Sequence, residues 1–549
     1  MASHAAAHEE DGSIIIMKVS VVDLGFNSVK MVNYDVKRDG TFKAYRQEGV
    51  KVKLGEGLGR GGYLSGEPVQ RTIEALKLFR DVINFDSIRH VLPVATSAVR
   101  DAANRDSFLK RVREETGFQF KVLSGEEEGF YSYVGALEST CIPTSLFFDL
   151  GGGSLELVYT ENYGIKKVES YPLGALRLSK MYGNNNNNKD NDDGKDDDDD
   201  GSFSKKAYGK MEERILDTLP DRKELGISVD TTLVGVGGTL RAIARYEQEL
   251  AGYELDKIHN YRMDHSSVSA IASELYKMDR GDLEKIKAIG SNRVDTIVAG
   301  AAVISLLMQK LDFDKVVVSA RGLREGILSV FLRDPKAFYS NNVMTAERAK
   351  AYVTFACQQE VLPQYAFSLV KPLVSAGLLR EKERAILGHA LKEMATLPNV
   401  TNLSNLFHLI MDEDNAFLTH REQLILALAI VHTKKEKTVD WLFSRYGSIL
   451  EPQNKKSIEK ISACIVLSEI LERTKATARL SISGNNNKKV AIRIMQSSGS
   501  RQPAVPATLL ASALRNFERA FDVAASCQVV VSAANGSASK KHQEVKVIV

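Results

Sequence analysis

Four short motifs in this chain each follow directly on a strand-like apolar run, and that placement limits the fold more than any other feature. They are Asp23-x-Gly25-x-Asn27-Ser28, Ser124-x-Glu126-Glu127-Glu128, Asp149-x-Gly151-Gly152-Gly153-Ser154-x-Glu156 and Gly235-x-Gly237-Gly238-Thr239. Glycines at a strand end let backbone N–H groups approach an anion closely, and the helix N-terminus that follows adds a favourable dipole. An aspartate at a strand end suits Mg²⁺, a hard cation that takes oxygen ligands directly or through water. One such turn is weak evidence, because a glycine after a strand is most often a plain tight turn. Two Asp-x-Gly turns, a glutamate cluster between them and a later GxGGT are far more specific. The chain has no P-loop GxxxxGKS/T, and its triple glycine lacks the GxGxxG spacing of a dinucleotide fold.

Between the motifs, strand and helix periodicities alternate, which indicates an α/β architecture. Val19–Leu24 and Val29–Val36 read as a hairpin, and Ile73, Leu76, Phe79 and Ile83 recur at helical spacing over Pro68–Phe85. A strand over Val91–Thr96, a helix over Arg105–Thr116 and a strand over Phe118–Leu123 follow. Ser124 with Glu127 three residues on makes a capping-box start to the next helix. Ser145–Asp149 reads as a buried strand, and a second α/β unit is expected from about Glu161, with a strand over Thr232–Val236 and helices over Leu240–Glu249 and Val294–Leu311. From Thr345 to Lys475 the pattern is helical, and strands return in Lys488–Val549 around a helix near Ala507–Phe521. The expected layout is a loose tail over 1–16, α/β units over 17–160 and 161–340, a helical domain over 345–478 and a small α+β domain over 479–549. Whether the two α/β units are a duplication stays open at this level.

The net charge of +3 hides an asymmetry: residues 184–203 hold eight Asp and two Lys, whereas 434–549 hold 19 Lys and Arg against nine Asp and Glu. The Asn/Asp run has nothing apolar to bury before Phe203 and is expected to be a disordered surface insert. The basic last fifth suggests an anionic partner, or simply a lysine-rich solvated face. The longest apolar stretch, Ile297–Met308, is far short of the ~20 residues a bilayer requires. Residues 1–13 carry Glu9, Glu10 and Asp11 where a signal peptide needs a basic start, and Met17 could be the original start. The four cysteines stand singly, so the expected setting is a reducing cytoplasm, with no membrane contact.

These residues resemble the exopolyphosphatase/guanosine pentaphosphate phosphatase (Ppx/GppA) family. The resemblance rests on Asp23-Leu-Gly-Phe-Asn-Ser28, Thr96-Ser-Ala-Val-Arg100, Leu123-Ser-Gly-Glu-Glu-Glu-Gly129, Asp149-Leu-Gly-Gly-Gly-Ser154, Leu173-Gly-Ala-Leu-Arg177, Gly235-Val-Gly-Gly-Thr239 and Gly322-Leu-Arg-Glu-Gly326. It is dense over residues 17–335 and fainter beyond. It implies duplicated actin-like (ribonuclease H-like) domains with a phosphate site in the cleft between them, followed by a degenerate HD-like helical domain. It also implies Mg²⁺-dependent removal of a terminal phosphate from inorganic polyphosphate or from pppGpp, and a homodimer; nucleic acid is not the expected partner. By the same likeness Glu128 is the catalytic base, Asp149 and Glu156 are Mg²⁺ ligands with Asp23 in the outer sphere, and Arg100 contacts phosphate. The glycine turns, with Asn27, Ser28, Ser154 and Thr239, complete the phosphate site. Phe26 departs from the family, standing where a small hydroxyl residue is usual, and is expected to narrow the cleft. The HD metal pair is absent, Ala390-Leu-Lys-Glu-Met394 standing in its place, and His389, His408, His420 and His432 are expected to be structural or surface residues.

The chemistry agrees with that assignment on its own terms, since an attacking water must be oriented and must lose a proton to a nearby carboxylate. The competing reading of Glu126, Glu127 and Glu128 is dipole stabilisation at a helix N-terminus, worth ~0.3–1 kcal/mol each. Polyphosphate hydrolysis is the first expectation, pppGpp 5′-phosphatase activity the nearest rival, and a cleft that binds without turnover the rival of a different class.

Overall fold

The computed structural model describes residues 15–38, 40–58, 61–183, 203–339, 362–396, 402–412, 418–484, 488–497, 505–532 and 543–548. The chain divides into two compact units, one formed by residues 1–253 with 257–357 and the other by 254–256 with 358–549.

The first unit holds two sheets. One comprises β1 (Ile15–Leu24), β2 (Ser28–Lys37), β3 (Phe42–Lys51), β4 (His90–Ala95) and β5 (Lys121–Val122) in the order β3-β2-β1-β4-β5. β1, β2 and β3 form an antiparallel meander, and β4 and β5 add in parallel on the other side of β1. The other comprises β6 (Ser145–Leu150), β7 (Leu155–Glu161), β8 (Gly164–Tyr171), β9 (Thr232–Val236), β10 (Arg262–Asp264) and β11 (Lys315–Val318) in the order β10-β11-β9-β6-β7-β8. Here β6, β7 and β8 are the meander, and β9 and β11 are the parallel additions. Apart from the short edge strand β10, the two sheets are wired identically, and the repeat left open by the sequence is visible as topology.

Three expectations change. The division at residue 161 falls inside the second sheet: Leu150–Ser154 is a hairpin bend between paired strands, so β6 and β7 belong with β8, β9 and β11. Ile15 already pairs with Lys37, which shortens the expected tail, because strand pairing uses backbone groups and both isoleucines can stay exposed. Of the expected insert, residues 184–202 lie outside the described residues, while Phe203 is buried, its ring edge-on to Tyr208.

The helices of this unit are α1 (Gly66–Phe85), α2 (Ser97–Arg100), α3 (Arg105–Thr116), α4 (Gly125–Thr140), α5 (Ala175–Tyr182), α6 (Lys205–Thr218), α7 (Arg222–Leu225), α8 (Gly238–Leu250), α9 (His265–Lys277), α10 (Arg280–Lys285), α11 (Ile297–Lys310), α12 (Leu323–Arg333) and α13 (Pro335–Tyr339). On α1 the four periodic apolar residues are all buried, each worth roughly 1.5–3 kcal/mol of transfer free energy. The longest apolar stretch forms α11, buried from Ile297 to Met308, so it is a core helix apolar all round. No helix among the described residues is long and apolar enough to cross a membrane. α4 and α12 pack at backbone distance: a Cβ on Gly326 would lie 1.8 Å from the Tyr131 carbonyl oxygen, and one on Gly135 2.1 Å from that of Gly322. This crossing sets the start of α12 beside the residues that α4 presents.

Asp295, just before α11, ties the second sheet's half of the unit to the first. It accepts from Lys51 Nζ at 2.8 Å and from Arg280 Nη1 at 2.5 Å, with Lys53 Nζ at 3.7 Å. Although burial raises its pKa, hydrogen bonds from Lys51 and Arg280 outweigh this and hold the carboxyl at about 2. A depressed carboxyl stabilises the fold above its unfolded pKa of about 4, and the contribution is lost as pH falls toward the folded value. Asp295→Asn is expected to cost about 1 kcal/mol at pH 7, allowing for solvent screening. The gap from the parent should shrink between pH 5 and pH 3 in urea titrations; an equal gap at both would exclude the pairing as its source.

In the second unit α14 (Gln364–Ser375), α15 (Glu381–Thr396), α16 (Leu403–Asp412), α17 (His420–His432), α18 (Glu436–Arg445) and α19 (Asn454–Arg473) precede a four-stranded sheet. Its strands β12 (Thr477–Ser483), β13 (Lys489–Ser497), β14 (Ala524–Ser532) and β15 (Gln543–Ile548) lie in that order, with α20 (Ala507–Phe521) between β13 and β14. Gln423–Val431 of α17 are buried, and α19 packs against α17 and also against α20. The helical and sheet parts thus share one compact unit rather than dividing at 478. β12 was not anticipated, although Ala478 and Leu480 point inward and Thr477, Arg479 and Ser481 outward, a strand alternation. His389 and His420 are buried, His408 stands edge-on to Phe407, and His432 Nδ1 lies 2.9 Å from Ser462 Oγ.

Candidate active site

The carboxyl ends of the parallel strands of both sheets face one cleft, the place where open α/β sheets bind ligands. β1 ends at Asp23-Leu24 and turns back through Gly25–Asn27, with the Gly25 N–H donating to the Ser28 carbonyl at 3.0 Å. β6 ends at Asp149-Leu150 and turns back the same way, the Gly151 N–H donating to the Ser154 carbonyl at 3.0 Å. The register pairs Asp23 with Lys30 in the first hairpin and Asp149 with Glu156 in the second, so the repeated bend carries a cation on one side and a carboxylate on the other. In the second bend the carbonyls of Gly151 and Gly152 accept from the start of α5, and that of Gly153 from Arg177 Nε at 2.7 Å. The N–H groups of Phe26, Asn27 and Gly152, which line the cleft, make no backbone hydrogen bond among the described residues. They are the amides a bound phosphate can use.

The third turn follows β9. Gly237 has φ 122°, in the region that favours glycine, and a Cβ there would sit 2.6 Å from the Leu150 carbonyl oxygen. α8 begins at Gly238, two residues before the start expected at Leu240, so the helix N-terminus itself opens on the cleft.

α4 separates the roles of the three glutamates. Glu127 completes the capping box, its N–H donating to Ser124 Oγ and its Oε2 accepting the Ser124 N–H, both at 3.0 Å, and it also pairs with Lys121. Glu126 is exposed, whereas Glu128 is buried and lines the cleft. The dipole reading therefore fits the first two and not the third. Burial, partly countered by Arg100 and reinforced by Asp149 and Asp23, pushes the Glu128 carboxyl up to about 7. Burial also raises Asp149, which accepts from Ser132 Oγ at 2.6 Å. Glu156 goes well above the carboxylate range through burial with Glu128 and Asp149 nearby; its Oε1 accepts from Ser170 Oγ at 2.9 Å and its Oε2 is buried without a hydrogen-bond partner among the described residues.

Of the residues expected at the site, Asp23, Gly25, Asn27, Ser28, Glu128, Asp149, Gly151, Gly152, Ser154, Gly237, Gly238 and Thr239 all line this one cavity. Gly153, Glu156 and Arg100 do not. Gly153 is a packing position, since a Cβ there would fall 2.4 Å from Ser97 Oγ and 2.5 Å from the Phe26 ring. Glu156 is the cross-strand partner of Asp149 in the hairpin and is buried beside it. Arg100 spends its guanidinium on Glu128, not on the cavity.

The sequence reading missed four cations that do line it: Lys30, Arg241, Arg293 and Arg324. Burial, with Arg324 close by, lowers Lys30 to about 8 and Arg241 to about 10, and Arg324 Nε is buried without an acceptor among the described residues. Two of them were within reach of the motifs, Arg324 inside Gly322–Gly326 and Arg241 two residues past Thr239. Lys30 lies inside the strand expected over Val29–Val36, and no motif marked it or Arg293.

The Phe26 ring lines the cavity but is mostly buried, seated where a Cβ on Gly55 would come within 2.0 Å of it and with the Arg177 guanidinium 5.4 Å from its centroid. Two glycines and an arginine accommodate it. Among the described residues no three His, Cys, Asp or Glu side chains gather closely enough to cage a metal ion.

Residues 35–333 match the family model described as the Ppx/GppA phosphatase family. Among curated proteins the chain is 27% identical over 329 residues to exopolyphosphatase 2 of Mycobacterium tuberculosis, 57% of this chain and 98% of that one. It is 28% identical over 317 residues to a bifunctional 3-dehydroquinate synthase/phosphatase of Fusobacterium nucleatum, 54% of this chain but 44% of that protein, less than half its length. It is 26% identical over 311 residues to a guanosine-5′-triphosphate,3′-diphosphate pyrophosphatase of Vibrio vulnificus, 56% of this chain and 58% of that one. The fold is shared with a solved exopolyphosphatase from Cytophaga hutchinsonii, at TM-score 0.51 and 22% identity over 58% of this chain and 98% of that one.

Proposed function

The chain belongs to the Ppx/GppA phosphatase family, and on that footing we propose that its cleft hydrolyses the terminal phosphate of inorganic polyphosphate. The observation that carries the proposal is that Glu128, the three glycine turns and four cations share one cavity. Water attacks the terminal phosphorus while Glu128 accepts its proton, the bridging P–O bond breaks, and the remaining chain leaves one phosphate shorter. A base with a pKa near the working pH combines ionisation with proton affinity, which a carboxyl at about 7 provides. The free amides of the two hairpin bends and the N-terminus of α8 face the charge that develops on the transferred group. Lys30, Arg241, Arg293 and Arg324 offset the charge of the next phosphates in the chain.

The donor set also suits Mg²⁺. Asp149 and the unpartnered Oε2 of Glu156 would hold it together with phosphate oxygens and waters, the usual way this ion binds, with Asp23 beyond the first shell. When bound, the ion supplies charge neutralisation on phosphate oxygens.

The same geometry accepts the 5′-phosphates of pppGpp, a reading favoured by the Vibrio relative. Phosphate release from polyphosphate and from pppGpp with Mg²⁺ separates the readings. Faster release from polyphosphate is expected; preference for pppGpp would reverse the assignment, and binding of either without release would make the cleft a sensor.

A further inference from the structure

Arg100 was expected against phosphate, yet the fold turns it to the base. Its Nη1 donates to Glu128 Oε2 at 2.8 Å and to the Leu123 carbonyl at 3.1 Å. The backbone anchors both ends of this pair. The Arg100 N–H bonds to the Thr96 carbonyl at 3.0 Å, the Thr96 N–H to that of Leu24 at 3.1 Å, and the Leu123 N–H to that of Ala95 at 2.9 Å, so arginine and glutamate both hang from the ends of β1 and β4. On its other side Arg100 Nε faces Asp101 at 3.8 Å. The second oxygen of Asp101 takes Arg177 Nη2 at 2.6 Å, and Arg177 in turn holds the Gly153 carbonyl.

We infer that Arg100 is a positioning residue, which fixes one oxygen of the Glu128 carboxylate so that the other faces the attacking water, and that it does not bind phosphate itself. A glutamate side chain has a broad, nearly two-fold final torsion, and a charge-assisted hydrogen bond to an arginine that is itself held by a carbonyl selects one orientation. The inference rests on the reading of Glu128 as base and extends it to a residue outside the cavity.

The experiment is a double-mutant cycle on the full chain, reading kcat and KM for polyphosphate with Mg²⁺. Arg100→Gln is expected to lower kcat by about 10–100-fold, the scale of a misplaced catalytic group, with KM within about threefold. In the Glu128→Gln background the same change should cost no more than about twofold, because a residue acting only through Glu128 has nothing left to position. Arg100→Lys keeps a charge but loses the forked donor, so its kcat should fall between the two, and it serves if Arg100→Gln does not fold. A tenfold rise in KM, or a further tenfold loss in the double variant, would show phosphate contact and overturn the inference. Should Glu128→Gln alone retain the parent rate, the base assignment fails, and that outcome is distinct from either.

Discussion

Glu128→Gln is expected to lower the rate of phosphate release by about 10²–10⁴-fold, the usual worth of a positioned base, while polyphosphate binding changes by no more than a few-fold. Glutamine has the same shape and cannot accept the water's proton at neutral pH. The substitution leaves the glycine turns and the four cavity cations in place, so the ligand contacts survive. Its structural cost is limited by two opposing effects: Arg100 loses a charged partner but keeps the Leu123 carbonyl, and Asp149 and Glu156 lose a repelling neighbour. Melting close to the parent, with release nearly abolished, is therefore the expected pair of observations. A rate within tenfold of the parent would remove Glu128 from the mechanism.

Gly326→Ala is expected to destabilise the first unit by about 3 kcal/mol, at the upper end for an overpacked core. At about 2–4 °C per kcal/mol for large domains, melting would fall by roughly 6–12 °C. The new methyl would meet the Tyr131 carbonyl oxygen at 1.8 Å, and a backbone carbonyl in a buried helix cannot rotate aside as a side-chain tip can. Because Gly322, which precedes α12, and Leu323 and Arg324 at its start line the cleft, activity should fall with stability. Gly209→Ala is the control: Gly209 lies inside α6 with no described residue within 4 Å of the place its Cβ would take, so the change should stabilise by about 0.5–1 kcal/mol. If both variants melt like the parent, α4 and α12 do not approach as closely as described.

Much of this was legible in the chain itself. The strand-turn motifs named twelve residues that prove to share one cavity, and the Ser124–Glu127 box placed the start of α4. Both are short-range patterns, in which one residue dictates the conformation of its neighbours. What misled the reading was longer range. The break at 161 fell between the paired strands β7 and β8, because a short turn looks the same in sequence whether the next strand pairs back or departs. Lys30 and Arg293 went unnoticed because a polar residue in a strand or loop does not reveal which sheet end it will face.

The amino-acid order alone determined the α/β class and the strand-end glycine turns, since these follow from local backbone preferences, and it offered Glu128 as candidate base only through the resemblance of its motifs to the family. Only the tertiary structure decided that Glu128 rather than Glu126 or Glu127 is buried at the cleft, that Arg100 serves the carboxylate, and that four distant cations line the cavity. Those outcomes depend on which strand ends the repeated sheet topology brings together, and on how closely two glycines let α4 and α12 approach.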